Sequence, residues 1–142
     1  MKTHRLPVIT LLALAALLIA TGVVLADDRP QGQHDDGTKS TLAGNFSTVS
    51  GGENNTANAI YSTIGGRNTA SADFTTVGGG FGNTASGRLS TISGGGNNTA
   101  YGHLAIIGGG DSNTASGVFA TVGGGRFNRA TAPLATIAGG WH

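Results

Sequence analysis

The residues that could coordinate a metal ion are few, and only one group of them stands together. His34, Asp35 and Asp36 are consecutive in a polar segment. A metal site needs ligands that approach the ion from several directions, and three adjacent residues rarely do so. Calcium-binding glycine-rich repeats carry an aspartate in each copy, whereas only Asp111 lies at such a place here. The sequence therefore predicts no metal site and no cofactor.

Residues suited to catalysis are scattered along the chain. Catalysis needs an acid, a base or a nucleophile held close together. Glu53 and Asp73 each occur once in different copies of a repeat, and His103 and His142 are likewise single. The runs of three glycines are not followed by the Gly-Lys-Ser/Thr of a phosphate-binding loop. We expect no catalytic residues, so the chain is predicted not to be an enzyme.

Charge and cysteine content narrow the function class further. Lys2 and Arg5 precede Ala26, and all seven acidic residues follow it. Eight basic residues less these two leave six, so the chain after Ala26 has a net charge of six minus seven, near −1. That charge supplies no basic stripe, and we expect no nucleic-acid partner. Because the sequence has no cysteine, disulfides and thiol chemistry are excluded.

One short phrase recurs from Phe46 to the C-terminus, and Phe74 to Arg88 is a complete copy of it. Each copy carries one β-branched residue at the same place, and the successive spacings of these residues are 15, 13, 15, 15, 15 and 15: Val49, Ile64, Val77, Ile92, Ile107, Val122 and Ile137. Disorder is the alternative for a chain with 26 glycines. A disordered linker has no need of such a period, which predicts a repeat fold instead.

Individual positions of the repeat have distinct compositions. We number the repeat so that Phe46 occupies position one and Val49 position four. Position one is Phe, Tyr or Leu, position two is small, position three is Thr in six of seven copies, and position four is Val or Ile. These four residues predict a short strand. Glycines at positions six and seven predict a tight corner that uses positive φ, and the variable positions eight and nine are expected to face solvent.

The second half of each copy predicts another strand. Position ten is Asn in all six copies that reach it, and its side chain is expected to bond local backbone or to stack on the Asn of the next coil. Position twelve is always Ala, which indicates a narrow interior. The second copy lacks two residues, which we place between Gly66 and Asn68. Because two short strands cannot bury anything alone, the copies must stack. We predict an all-β parallel β-solenoid or β-roll of about seven 15-residue coils, ~30 Å long.

Threonines at position three would form a regular row along such a solenoid. Its members are Thr48, Thr63, Thr76, Thr91, Thr121 and Thr136, with Ile106 as an interruption. The Thr after each Asn would form a second row. These rows resemble those with which some solenoid proteins bind ice, and a polysaccharide is a second ligand for them. The alternative is that Thr simply suits a strand surface.

The phrase Ser-Thr-Val-Gly-Gly-Gly-x-x-Asn-Thr-Ala-Ser-Gly resembles the head repeats of YadA-like trimeric autotransporter adhesins. It is also similar to repeats of bacterial surface and phage-tail-like proteins. The matching pieces are Ser47 to Ser50 and Asn83 to Gly87, and the resemblance covers Phe46 to His142. It implies a left-handed β-roll, three chains side by side, and binding to host or extracellular-matrix surfaces.

The first 26 residues have the pattern of a secretory signal peptide. Lys2 and Arg5 are basic, residues 8–25 are apolar, and Val24-Leu25-Ala26 provides a cleavage site with small residues. The alternative is an uncleaved anchor, because this predominantly apolar run of 18 residues just reaches spanning length. We expect a signal helix over residues 1–26, and membrane contact only if this segment stays uncleaved.

The rest of the chain is expected to divide into two parts. Residues 27–45 are polar, lack an apolar period, and predict a flexible lead-in. Residues 46–142 form the glycine-rich repeat domain, with an incomplete last copy. We expect an exported, non-enzymatic protein, secreted or on the cell surface of a bacterial envelope, with an adhesin-head-like surface or structural role. The alternative function is a solenoid that binds ice or polysaccharide through its Thr rows. Expected partners are copies of itself, as a homotrimer or otherwise, and an extracellular surface or glycan.

Overall fold

The computed structural model describes residues 33–141, and these contain fifteen short strands and no helix. The expected signal helix and cleavage site lie outside the described residues. The strands are β1 (His34–Asp35), β2 (Thr41–Leu42), β3 (Thr48–Val49), β4 (Thr56–Ala57), β5 (Thr63–Ile64), β6 (Arg67–Ala70), β7 (Thr76–Val77), β8 (Phe81–Ala85), β9 (Thr91–Ile92), β10 (Thr99–Ala100), β11 (Ile106–Ile107), β12 (Thr114–Ala115), β13 (Thr121–Val122), β14 (Arg129–Ala130) and β15 (Thr136–Ile137).

The strands form two parallel sheets that run the length of a solenoid. The odd-numbered strands make one sheet of eight, and the even-numbered strands make a second sheet of seven. Each strand pairs with the equivalent strand one coil later, as Thr76 with Thr91 and Thr84 with Thr99. The described chain therefore makes about seven turns, and the predicted all-β parallel solenoid is confirmed.

The core is a narrow column of small and β-branched side chains. Between Val49 and Ala130, the residues at positions four and twelve of the repeat are at most 1% exposed: Val49, Ala57, Ile64, Ala70, Val77, Ala85, Ile92, Ala100, Ile107, Ala115, Val122 and Ala130. The two sheets face each other across these side chains. The interior accommodates a methyl opposite a Val or Ile, which confirms the interpretation of the Ala column.

Position one does not belong to the first strand, contrary to our expectation. Phe46, Tyr61, Phe74 and their equivalents lie in a turn before it, with φ between 56° and 61° in all seven copies. In each copy, the first strand consists of positions three and four alone. The physical reason is that each 15-residue coil must change direction there, and the left-handed conformation at position one makes the change. The predicted strand includes position one because its residues are apolar or aromatic.

A buried asparagine column joins the coils at the glycine corner. In coil three, Asn83 Nδ2 donates to the carbonyl oxygens of Gly79 at 3.1 Å and Gly95 at 2.9 Å. Its Oδ1 accepts the backbone N–H of Asn98 at 2.9 Å. The equivalent bonds recur from Asn55 to Asn128. Both predicted roles of the Asn, local backbone bonding and stacking between coils, are therefore present at once.

The stack begins earlier in the chain than the repeat pattern indicates. Within the segment expected to be a flexible lead-in, β1 pairs in register with β3, and β2 pairs with β4. Asp36 N donates to Val49 O at 2.9 Å, and Thr41 N donates to Asn55 O at 2.8 Å. Backbone hydrogen bonds of this kind do not depend on side chains. Residues 33–45 can therefore complete a coil although they lack the repeat's side-chain pattern.

The 13-residue coil loses its two residues at two separate places. Gly65 N donates to Val77 O, the bond made by position five, and Arg67 N donates to Gly80 O, the bond made by position eight. Asn68 N then donates to Asn55 Oδ1, the bond made by position ten. Positions six and nine are therefore the missing ones, and the pairing register shifts between Arg67 and Thr69. Our expectation that both were lost after Gly66 was wrong, because the hydrogen bonds of position eight hold Arg67 in its column.

Candidate functional site

The residues of position one form an apolar column along the outside of the rod, which we call the outer column. Its members are Phe46, Tyr61, Phe74, Leu89, Leu104, Phe119 and Leu134. Five of them are between 42% and 74% exposed: Phe46, Tyr61, Phe74, Phe119 and Leu134. Leu89 and Leu104 are half-buried. Ile60 and Val118 precede two of these residues and are also exposed, so a continuous apolar stripe faces solvent.

The conformation at the outer column disfavours the side chains found there. A left-handed φ costs roughly 1 kcal/mol for residues other than Gly, Asn and Asp. The turn itself is held by the backbone, as when Phe74 N donates to Ile60 O at 2.9 Å and Leu104 N donates to Arg88 O at 3.0 Å. Neither the backbone bond nor core burial requires a large apolar residue at this position. A strained conformation that persists with unsuited side chains points to a function for those side chains.

Three rings of the outer column stack on one another. The Phe46 and Tyr61 centroids are 5.0 Å apart with planes 10° apart, and Tyr61 and Phe74 are separated by 5.2 Å and 14°. The Arg88 guanidinium lies 5.5 Å from the Phe74 centroid. Because stacked rings turn their faces to each other, they present their edges outward. The stack is an apolar contact surface rather than a set of open ring faces.

Two threonine rows occupy the two sheets. On the first sheet Thr48, Thr63 and Thr76 are partners in adjacent strands, and the row is interrupted by Ile106, which is 45% exposed. On the second sheet the row extends one coil beyond its expected start, to Thr41, and ends where Arg129 takes the place of Thr. Most of these hydroxyl-bearing side chains are half-exposed. Both rows are therefore accessible and repeat at the spacing of the strands.

The acidic residues singled out in the sequence lie apart and are engaged in local contacts. Glu53 Oε1 binds Lys39 Nζ at 2.9 Å, and Asp111 Oδ2 binds Arg126 Nε at 3.1 Å. Asp73 Oδ1 accepts the backbone N–H of Ile60. These contacts connect one coil to the next on the surface, where an ion pair contributes little to stability.

The histidines with described surroundings do not form a cluster. His34 Nε2 lies 3.0 Å from Asp36 Oδ2, and both side chains are 63% exposed. The His103 ring meets the edge of Phe119. Over residues 33–141, no group of three His, Cys, Asp or Glu is arranged to hold a metal ion. In the same part of the chain, no helix has the length and apolar character to span a bilayer.

A polar notch on the rod was missed by the sequence analysis. It has a volume of ≈ 260 Å³ and lies beside the shortened coil, where it is lined by Asn54, Arg67, Asn68, Thr69, Gly82, Asn83 and Thr84. The missing residues of the second copy were the signal that could have located it. Their effect was not foreseen because the two losses were assigned to one corner.

The fold and surfaces define the class of this protein as an all-β parallel solenoid built from a glycine-rich repeat. No protein-family model matches the chain, and a search of curated proteins gives no match. The likeness to adhesin heads therefore rests on the repeat phrase, and the architecture is consistent with its coarser implication of a β-roll.

Proposed function

We propose that this chain is an exported, non-enzymatic repeat protein that acts in surface interaction, as the head repeats of trimeric adhesins do. The observation that carries the proposal is the outer column. Seven large apolar residues adopt a conformation that suits Gly or Asn better, and five of their side chains are exposed. Contact with another surface gives these side chains a use that the isolated rod does not.

The outer column supplies a substantial part of the area that association between chains needs. Half of the roughly 150–250 Å² of an aromatic side chain, summed over its four aromatic members, is about 400 Å². A standard protein interface buries about 800 Å² on each partner, so the column would form the apolar centre of such an interface. Side-by-side packing of copies, as the homotrimer that the resemblance implies, would cover this stripe and leave the Thr rows facing outward.

The mass of the purified protein in solution tests this proposal. We expect light scattering after size exclusion to give an oligomer with the β-rich circular dichroism spectrum of the solenoid. In the variant that combines Phe46→Asn, Tyr61→Asn and Phe74→Asn, the same spectrum should accompany a monomer, because Asn tolerates the left-handed conformation. Phe127→Asn is the matched control, since Phe127 is also exposed and has a φ of 60° but lies outside the outer column. A wild-type monomer would refute side-by-side association.

A second candidate function is binding of ice or polysaccharide through the Thr rows. The specific observation is the in-register pairing of Thr56, Thr69, Thr84, Thr99 and Thr114 on the second sheet. A row of hydroxyls at one spacing matches a ligand that itself repeats. Replacing Thr99 and Thr114 with Lys should abolish inhibition of ice recrystallisation or retention on a polysaccharide, while the melting temperature changes little. If neither activity is seen in the wild type, this candidate is excluded.

Export is the part of the proposal that rests on residues 1–26. We propose cleavage after Ala26, so that the secreted chain begins at Asp27. Mass spectrometry of protein recovered from outside the producing cell measures the new N-terminus directly. An intact Met1 on a membrane-bound chain would favour the uncleaved anchor instead.

A further inference from the structure

The notch beside the 13-residue coil arises from two local features. The coil lacks the residue at position nine, and its neighbours in that column are Asn54 and Gly82. Gly82 carries no side chain, so the next coil does not fill the space. The result is a recess of ≈ 260 Å³, which is below the range of drug-sized pockets and suits a single small ring.

A positively charged side chain lines this recess. The Arg67 guanidinium lies over the Phe81 ring, 5.1 Å from its centroid. Among residues 33–141 no carboxylate forms an ion pair with Arg67. Glu53 occupies the same column one coil earlier, but its Oε1 is bound by Lys39 at 2.9 Å. The local charge is therefore that of one arginine whose planar fork of donors is available to a ligand.

The same column contains an arginine without these properties. Arg126 also occupies position eight and lies 4.7 Å from the Phe127 ring centroid. Its Nε is bound to Asp111 Oδ2 at 3.1 Å, however, and no residue is missing from its coil. An arginine beside an aromatic ring therefore does not by itself make a ligand site. Of Arg67 and Arg126, only Arg67 has both a guanidinium without an ion pair and an adjacent recess.

The rest of the lining is rich in hydroxyl and amide groups. Thr69 and Thr84 are half-exposed, and Asn54 is exposed. Hydroxyls both donate and accept hydrogen bonds, and the amide does the same with two different atoms. The Asn83 amide beneath them is already bonded to Gly79 and Gly95 carbonyls. The available groups therefore complement a ligand that carries several hydroxyls beside one anionic group.

We propose that this notch binds the carboxylate-bearing sugar of an acidic polysaccharide. A planar carboxylate accepts two parallel hydrogen bonds from a guanidinium, and the sugar hydroxyls face Thr69, Thr84 and Asn54. The site is separate from the outer column, so loss of chain association and loss of sugar binding are distinguishable.

Titration with trigalacturonic acid, followed by amide NMR, tests the assignment. We expect saturable shifts at Asn54, Thr69 and Thr84, and much weaker binding of neutral galactotriose. Arg67→Gln should weaken binding about tenfold or more, the factor expected from loss of a hydrogen bond to a charged group. Arg126→Gln is the matched control and should bind as the wild type does. Equal loss in both variants, equal binding of the neutral sugar, or tighter binding of a sulfated trisaccharide would overturn the proposal.

Filling the recess provides an independent test that keeps Arg67. Insertion of one Asn between Arg67 and Asn68 restores position nine of the shortened coil. The variant should keep the circular dichroism spectrum and melting behaviour of the wild type, because position nine is occupied by Asn54, Gly82, Asn97, Ser112 and Phe127 in other coils. It should lose trigalacturonic acid binding. Undiminished binding by the folded insertion variant would show that the recess is not the site.

Discussion

The asparagine column and the outer column reverse the usual placement of polar and apolar side chains. The asparagines of position ten are at most 6% exposed, whereas five of the seven apolar residues at position one are at least 42% exposed. In a conventional domain, large apolar side chains are buried and amides face water. In this fold, the space and the hydrogen bonds available within a coil determine where a side chain is placed more than its hydrophobicity does.

The interior of the coil explains the reversal. Facing sheets that are separated by Val or Ile and Ala leave no room for an aromatic ring. At the glycine corner, however, the Gly79 carbonyl oxygen takes its donor from Asn83 Nδ2, and Gly95 O accepts a bond from the same amide beside the one from Phe81 N. An unpaired buried carbonyl is costly, and the Asn amide supplies two donors from one small side chain. Bulky side chains are therefore placed at the turn outside.

Of the substitutions that compare buried with exposed positions, a charge introduced into the core should lower the free energy of unfolding most. Ile92→Asp would place an unpaired carboxylate among fully buried side chains and should lower the free energy of unfolding by more than about 4 kcal/mol. Ile106→Asp is its control, because Ile106 is in the neighbouring strand and is 45% exposed. Its effect should stay within about 0.5 kcal/mol. Urea unfolding followed by circular dichroism compares them, and similar losses would mean that the two faces are not distinct.

Removal of one amide from the asparagine column should have the next largest effect. Asn98→Ala would leave the Gly94 carbonyl and the N–H of Asn113 without their partner, while Gly110 O would keep the bond from Gly96 N. We expect a loss of about 3 kcal/mol, since two polar groups become unsatisfied together and a third bond is lost. Asn97→Gly, at the exposed adjacent position, should cost less than about 1 kcal/mol. If chemical denaturation ranks the two variants in the opposite order, the buried column is not what joins the coils.

The two glycines of one corner should respond differently to a methyl group. A Cβ on Gly95 would lie 2.1 Å from Gly110 O, and its φ is +88°. Gly95→Ala should therefore cost about 2 kcal/mol or more, because the stacked coils must separate. At Gly94 the nearest atom to an added Cβ is 4.0 Å away. Gly94→Ala should leave the melting temperature nearly unchanged, and an equal drop in both variants would contradict this account of the corner.

Changes in the outer column should have the smallest effect on stability. Phe119→Asn removes a ring that is 50% exposed and keeps a residue that tolerates a φ of 58°. We expect the free energy of unfolding to change by less than about 0.5 kcal/mol, with association as the property that changes. A loss above about 2 kcal/mol in thermal unfolding would show that this column stabilises the rod itself.

Much of the internal architecture was predictable from single columns of the repeat. The invariant Ala at position twelve indicated a narrow core, and the Asn at position ten indicated bonds to backbone and to the next coil. Both are confirmed, because each position offers one environment that only one kind of side chain fits. The handedness, the trimer and the adhesive role remain predictions from the resemblance.

The turn at position one could not be predicted from composition. Phe46-Ser47-Thr48-Val49 has the residue types of a strand, and β propensity reflects side-chain packing more than backbone preference. The structure places Phe46 at a φ of 57° because the chain must reverse its course there. Local preference was overridden by the closure of the coil.

The period, the approximate number of coils and the buried columns can be read from the amino-acid sequence, since they follow from which side chains recur at a fixed spacing. The start of the stack, the places where the shortened coil lost its residues and the apolar residues that face outward required the three-dimensional structure. Those features depend on backbone hydrogen bonds between coils, such as Asp36 N to Val49 O and Arg67 N to Gly80 O. The pattern of side chains does not predict such bonds, because the backbone of every residue except proline can donate them.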